Sequence, residues 1–166
     1  MRSTRKILMA AALAAALSPT LALAGPDTDV GFRGWGPRIG LSINPDQVHF
    51  GAHIDFGNFA QHIRFQPNVE LGFGDDWKLF TINAEAAYRF SSHWDVWTPY
   101  LGGGVGANIK SADNGRHNSS HTDLGVNLLA GIEKGLSNGD RFFVEGKFSL
   151  NDVPDAKITV GWTFYH

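Results

Sequence analysis

The sequence predicts an all-β protein, an eight-stranded antiparallel up-and-down transmembrane β-barrel. Three observations carry the prediction. From residue 30 onward apolar and polar residues alternate with a period of two, the mark of a sheet with one apolar face. Turn-forming residues separate the alternating segments at short range, which makes consecutive strands antiparallel neighbours. The apolar face is too bulky to fit inside a narrow barrel, while the polar face carries charges of both signs.

Composition narrows the choice of class. A chain of 166 residues, 43% hydrophobic and 18% charged, suits one domain. Twenty glycines and 12 phenylalanines beside only two methionines favour sheet over a helix bundle. The absence of cysteine excludes a disulfide framework, a thiolate zinc site, a cysteine nucleophile and a lipoprotein anchor. A formal charge of −2 argues against a broad nucleic-acid footprint.

The N-terminus reads as an export signal. Arg2, Arg5 and Lys6 precede the apolar stretch Ile7 to Leu17, and Ala22-Leu23-Ala24 supplies a small-x-small ending. Ser18-Pro19 interrupts the apolar run, whereas a spanning helix needs about 20 unbroken apolar residues. Residues 1–24 are therefore expected to be cleaved, leaving 25–166 as a single barrel domain. No second apolar run follows, so strands must provide any membrane contact.

The eight segments come in order. In 34–43, Trp35, Ile39, Leu41 and Ile43 share a face. In 48–56, Val48, Phe50, Ala52, Ile54 and Phe56 oppose His49, Gly51, His53 and Asp55. Next, Ile63, Phe65, Pro67, Val69, Leu71 and Phe73 oppose His62, Arg64, Gln66, Asn68 and Glu70. Phe80, Ile82, Ala84, Ala86, Tyr88 and Phe90 then oppose Thr81, Asn83, Glu85 and Arg89. Segment 97–109 is glycine-rich. Leu124, Val126, Leu128, Ala130 and Ile132 oppose Asp123, Gly125, Asn127 and Glu133. Phe142, Val144, Phe148 and Leu150 oppose Glu145, Lys147 and Ser149, and Ile158, Val160, Trp162 and Phe164 oppose Lys157, Thr159 and Thr163. Gly57-Asn58 and Ser137-Asn138-Gly139-Asp140 are among the expected turns, and only Lys110 to Thr122 reads as a long connection. Eight meandering strands close into a barrel, which removes the sheet edges.

Segments of about 9–13 residues match what a tilted spanning strand requires. Lipid then meets the apolar face, and the polar face lines the interior. Arg38, Arg64, Arg89, Lys147 and Lys157 are expected to pair there with Asp55, Glu70, Glu85, Asp123, Glu133 and Glu145, as a plug rather than a pore. His49, His53 and His62 join that lumenal network. Aromatic rings favour the two membrane interfaces. With the N-terminus in the periplasm, Phe56, Tyr88, Phe90, Trp94, Trp97, Trp162 and Phe164 fall at the periplasmic rim, and Phe73 and Trp77 at the outer rim.

The run Trp97-Thr98-Pro99-Tyr100-Leu101-Gly102-Gly103-Gly104-Val105-Gly106 is similar to a strand common in one family. With it, residues 30 to 166 resemble the small outer-membrane β-barrel proteins of Gram-negative bacteria, the OmpA/OmpX-like barrels. The last strand adds a second point of likeness, because barrel-assembly machinery reads a closing strand with a polar residue, a glycine and an apolar residue in order. Thr159, Gly161 and Phe164 match those anchors, and His166 stands where the family has Phe or Trp. The resemblance implies a structural or surface-interaction role without catalysis. It also implies outer-membrane lipid and lipopolysaccharide as surroundings, contact with assembly machinery during insertion, and a monomer. No cofactor and no nucleic acid is expected.

Two alternatives have residues behind them. His117 and Ser119 have a spacing that resembles the lipid A deacylase barrels, which use a His/Ser pair with a Glu, although the ordinary reading is a surface loop. His49, His53, Asp55 and His62 have the donor types for zinc or copper, but a hydrogen-bonded plug accounts for them and no metal is expected. A soluble lipocalin-like barrel with an apolar ligand inside is the third reading of the same alternation.

Overall fold

The structure, a computed structural model, describes residues 28–44, 46–74, 77–92, 94–113, 118–150 and 154–165. Nine strand segments follow one another: β1 (Asp29–Ile43), β2 (Gln47–Ala60), β3 (Ile63–Phe65), β4 (Asn68–Gly74), β5 (Trp77–Arg89), β6 (Thr98–Asp113), β7 (Asn118–Gly135), β8 (Arg141–Ser149) and β9 (Ala156–Tyr165). Segments β3 and β4 are two halves of one stave. The break falls at Gln66-Pro67, where proline has no N–H for the ladder. Gln66 N–H still donates to the Glu85 carbonyl at 2.8 Å, and Ile54 N–H to the Pro67 carbonyl at 3.0 Å, so the wall is continuous.

The staves make an eight-stranded, all-antiparallel ring. Each pairs with its neighbours in sequence, and β1 closes on β9 from Gly34↔Tyr165 to Ile43↔Ala156. One end holds β1's start, the β2–β3, β5–β6 and β7–β8 turns and the end of β9. The other holds the remaining turns.

Two connections differ from the sequence expectation. Lys110 to Thr122 reads as a loop, yet β6 and β7 stay paired from Lys110↔His121 out to Asp113↔Asn118. Backbone hydrogen bonds hold a ladder whatever its side chains are, so the hairpin continues where the apolar alternation stops. Gly57-Asn58 reads as a turn, yet β2 runs through it. Gly57 has a positive φ of 75° at a bulge, its N–H donating to Asp55 Oδ1 at 2.8 Å, and the chain reverses at Gln61-His62 instead.

Burial alternates along every stave. On β9, Lys157, Thr159, Gly161 and Thr163 are buried while Ile158, Val160 and Trp162 are exposed. The large apolar side chains mostly point outward: Leu41, Leu124 and Ile158 are each about 60% exposed. Among the described residues the interior takes few, namely Leu79, Ala87, Tyr100, Leu129 and Phe143.

Candidate functional site

The barrel interior is the candidate site, and charge dominates it. Among the described residues five cations (Arg38, Arg64, Arg141, Lys147, Lys157) and five carboxylates (Asp55, Glu70, Glu85, Glu133, Glu145) are buried. The equal numbers make the buried plug formally neutral, the condition under which charges persist away from water.

Those charges fall into two groups. In the central one, Arg38 on β1 faces three carboxylates: Glu70 at 3.1 Å, Glu145 at 3.6 Å and Glu85 at 3.8 Å. Lys157 reaches Glu70 at 2.7 Å, and Lys147 pairs with Glu85 and, at 3.6 Å, with Glu70. Nearer the end that holds the termini, Glu133 takes Arg64, Arg89 at 2.6 Å and Arg141 at 3.6 Å. Arg141 also holds Asp55 at 2.9 Å, and the Tyr165 hydroxyl donates to the same carboxylate at 2.9 Å. Amides fill the space beside the central group. Asn68 donates to Glu85 at 2.7 Å, Asn83 to Asn68 at 2.8 Å and Asn127 to Asn83 at 3.3 Å.

Glycines set how these side chains meet. Gly51 is the cross-strand partner of both Arg38 and Glu70, which join over it. Gly161 is the partner of Arg38 and Phe143, and the guanidinium lies 5.4 Å from the ring centre. Gly40 is the partner of His49 and Thr159, whose Nε2 and Oγ1 are 2.9 Å apart. Without a side chain on the middle strand, the two flanking strands form one layer of contacts.

The structure brings most of the sequence-selected residues together: Arg38, His49, His53, Asp55, Arg64, Glu70, Glu85, Glu133, Glu145, Lys147 and Lys157 are all buried inside. Arg89 lies at the rim, 39% exposed, and Asp123 is half-buried opposite Asn108. His62 requires a correction. β2 runs on past Gly57 to Ala60, so the turn falls on His62, which has a φ of 62°, is exposed, and packs its ring against Tyr88 at 5.9 Å. Its separation from His49 and His53 takes apart the imidazole group that suggested metal binding. No group of three or more metal-ligating side chains is assembled among the described residues. Glu85 and Arg89 do not pair with each other, since each reaches over the lumen, to Lys147 and Glu133.

Several interior residues escaped the sequence reading. Arg141 and Phe143 share the parity of Glu145 and Lys147, which is the signal that places them inside. Tyr165 shares the parity of Thr159 and Thr163. Tyr100 was hidden in the glycine-rich segment.

Rings also gather outside. At the end with the termini, Tyr88 packs on Phe90 at 5.3 Å, Phe142 on Trp162 at 5.2 Å and Trp97 on Phe142 at 6.2 Å. Phe164 lies 5.9 Å from Trp35, Phe56 6.2 Å from Phe65, and Trp94 is exposed. At the other end Phe73 lies 6.4 Å from Phe50, while the Trp77 side chain is outside the described residues. His117 also lies outside them, and of Ser119 only the backbone pairing with Ala112 is described.

Solved structures share this architecture. Neisserial surface protein A matches with a TM-score of 0.65 at 16% identity, over 81% of this chain and 96% of its own. The N-terminal β-barrel domain of Pseudomonas aeruginosa OprF matches at 0.63 and 13% identity, over 82% and 100%. The chain has the fold of the small eight-stranded outer-membrane barrels. The outer membrane enzyme PagL matches at 0.50 and 13% identity, over 80% and 99%, so this barrel fold also carries catalysis. No family model and no curated protein matches the sequence.

Proposed function

We propose that this protein is an integral outer-membrane barrel with a structural or surface-interaction role and no catalytic activity. The observation that carries the reading is inverted polarity. Among the described residues five cations and five carboxylates are buried in the interior, while residues such as Leu41, Val105, Leu124, Leu128 and Ile158 stand exposed around the wall. Such a surface suits hydrocarbon, and water would drive it to aggregate. The interior charges also argue against a lipocalin-like chamber for an apolar ligand. In this reading the chain reaches the outer membrane through an N-terminal signal cleaved after Ala24. It inserts as a monomer with the help of assembly machinery that reads Thr159, Gly161 and Phe164, and it sits among lipid and lipopolysaccharide. The aromatic rings at the two rims settle at the interfaces.

Fractionated membranes test it. The protein is expected to stay in the outer-membrane pellet after alkaline extraction and to run with different gel mobility before and after boiling. Release into the soluble periplasmic fraction without a heat shift would overturn the reading. N-terminal sequencing is expected to start at Gly25.

A further inference from the structure

The joint between the first and last strands has a gap in its ladder. Pairing of β1 with β9 skips Gly36 and Pro37, resuming in the same register at Arg38↔Gly161. Pro37 has no N–H to give. On the outer surface a groove of about 300 Å³ opens here, lined by Pro37, Ile39, Phe50, Phe142, Val160 and Trp162, and reaches in as far as Arg38 and Gly161.

Two side chains of β2 compensate. His49 reaches over Gly40 to Thr159 on β9, with Nε2 and Oγ1 2.9 Å apart. Two repeats of the pleat further, His53 faces Gly36 on β1 and meets Thr163 on β9 at 2.8 Å. Both histidines are 1% exposed and both threonines fully buried. Thr163 takes a second hydrogen bond from Arg141 at 3.0 Å, and the edge of Phe143 packs on the His53 ring at 5.3 Å, which fixes the imidazole in place. Gly40 is required for the crossing, because a Cβ there would stand 2.7 Å from the His49 ring. Each bond therefore joins the two strands that flank β1 and passes over it.

We propose that His49–Thr159 and His53–Thr163 form a latch across the closing strand, which keeps the β1–β9 seam from opening sideways into the surrounding medium. The latch acts around β1, whose joints with β2 and β9 it spans together. Tyr165–Asp55, Lys157–Glu70 and Arg141–Asp55 also pass over β1, whereas a bond such as Asn83 to Asn68 joins two neighbouring strands away from it.

A disulfide placed at a chosen joint tests that locality, and the chain has no cysteine of its own. Leu41 and Ile158 are register partners across the seam, and Leu128 and Phe148 across β7–β8. Two parents, Leu41→Cys/Ile158→Cys and Leu128→Cys/Phe148→Cys, are oxidised and folded in detergent micelles. Their thermal midpoints, followed by circular dichroism, are compared with and without Thr159→Val/Thr163→Val. In the protein without a disulfide, removing the threonines is expected to lower the midpoint by several degrees. The loss is expected to vanish in the seam-stapled parent and persist in the β7–β8-stapled one. An unchanged midpoint without any staple, or an equal loss in both stapled parents, would overturn the latch. His49→Leu and His53→Leu serve as second variants, with the same pattern expected, and the threonine pair decides if either histidine variant does not fold.

Discussion

The Tyr100 phenol on β6 donates to Glu145 on β8 at 3.0 Å, over Gly131 of the strand between them. A Cβ at Gly131 would lie 2.4 Å from Cζ of that ring. The glycine is thus a seat for the tyrosine, and an aromatic lying across a glycine restores the packing that the missing side chain removes. Gly131→Ala is expected to push the ring aside, costing about 1–3 kcal/mol as an overpacked site does. Urea unfolding of the protein folded in lipid measures it. Gly135→Ala, where a Cβ would meet nothing within 4 Å, is the control and is expected to be far milder.

Arg38 is the cation shared by Glu70, Glu85 and Glu145. Arg38→Met leaves three buried carboxylates with two lysines, and is expected to cost about 3–5 kcal/mol, the range for breaking a buried pair from one side. Adding Glu70→Gln should recover part of that loss, because the two sites are coupled. A recovery no larger than simple addition of the two single effects would mean that the network is not held by its charge balance.

Val126 and Leu128 project from the outer face of β7. Replacing either with Arg is expected to cost about 2–4 kcal/mol if that face meets the middle of a bilayer. Ser137→Arg, in the exposed β7–β8 turn, is expected to stay within about 0.5 kcal/mol. Near-neutral results at both strand positions would contradict a spanning orientation.

The non-catalytic reading has its own check. Mass spectrometry of lipid A from cells producing the protein or its Ser119→Ala variant is expected to show the same acylation as cells lacking it. Ester loss that depends on Ser119 would establish a lipid-modifying enzyme instead.

The alternation of β4, β5, β8 and β9 was enough to place Arg38's partners and the lysines inside, because a period of two fixes the face of each residue once the staves are identified. What alternation cannot carry is phase across an irregularity. β2 runs on past Gly57 to Ala60, with an irregularity against β3 between Asn58 and Ala60, so the turn falls at Gln61-His62 and His62 stands at the surface rather than in the lumen. The far end of the β6–β7 hairpin was illegible for a different reason, since beyond the apolar band both faces are polar and the ladder leaves no pattern. Which charge meets which was equally hidden. Arg89 and Glu133 sit two strands apart, and only the barrel's curvature with the intervening Thr98–Tyr100 stretch of β6 brings such positions over one lumen.

Single cysteines carrying a nitroxide test the orientation of the wall most directly. Labels at Val105, Val126 and Val160, all outward, are compared in lipid vesicles with a label at Asn127, which points inward. The three outward labels are expected to be relaxed strongly by oxygen dissolved in the hydrocarbon and weakly by a water-soluble nickel complex, with Asn127 shielded from oxygen. Outward labels that respond mainly to the nickel complex would place that face in water and contradict a membrane-spanning barrel.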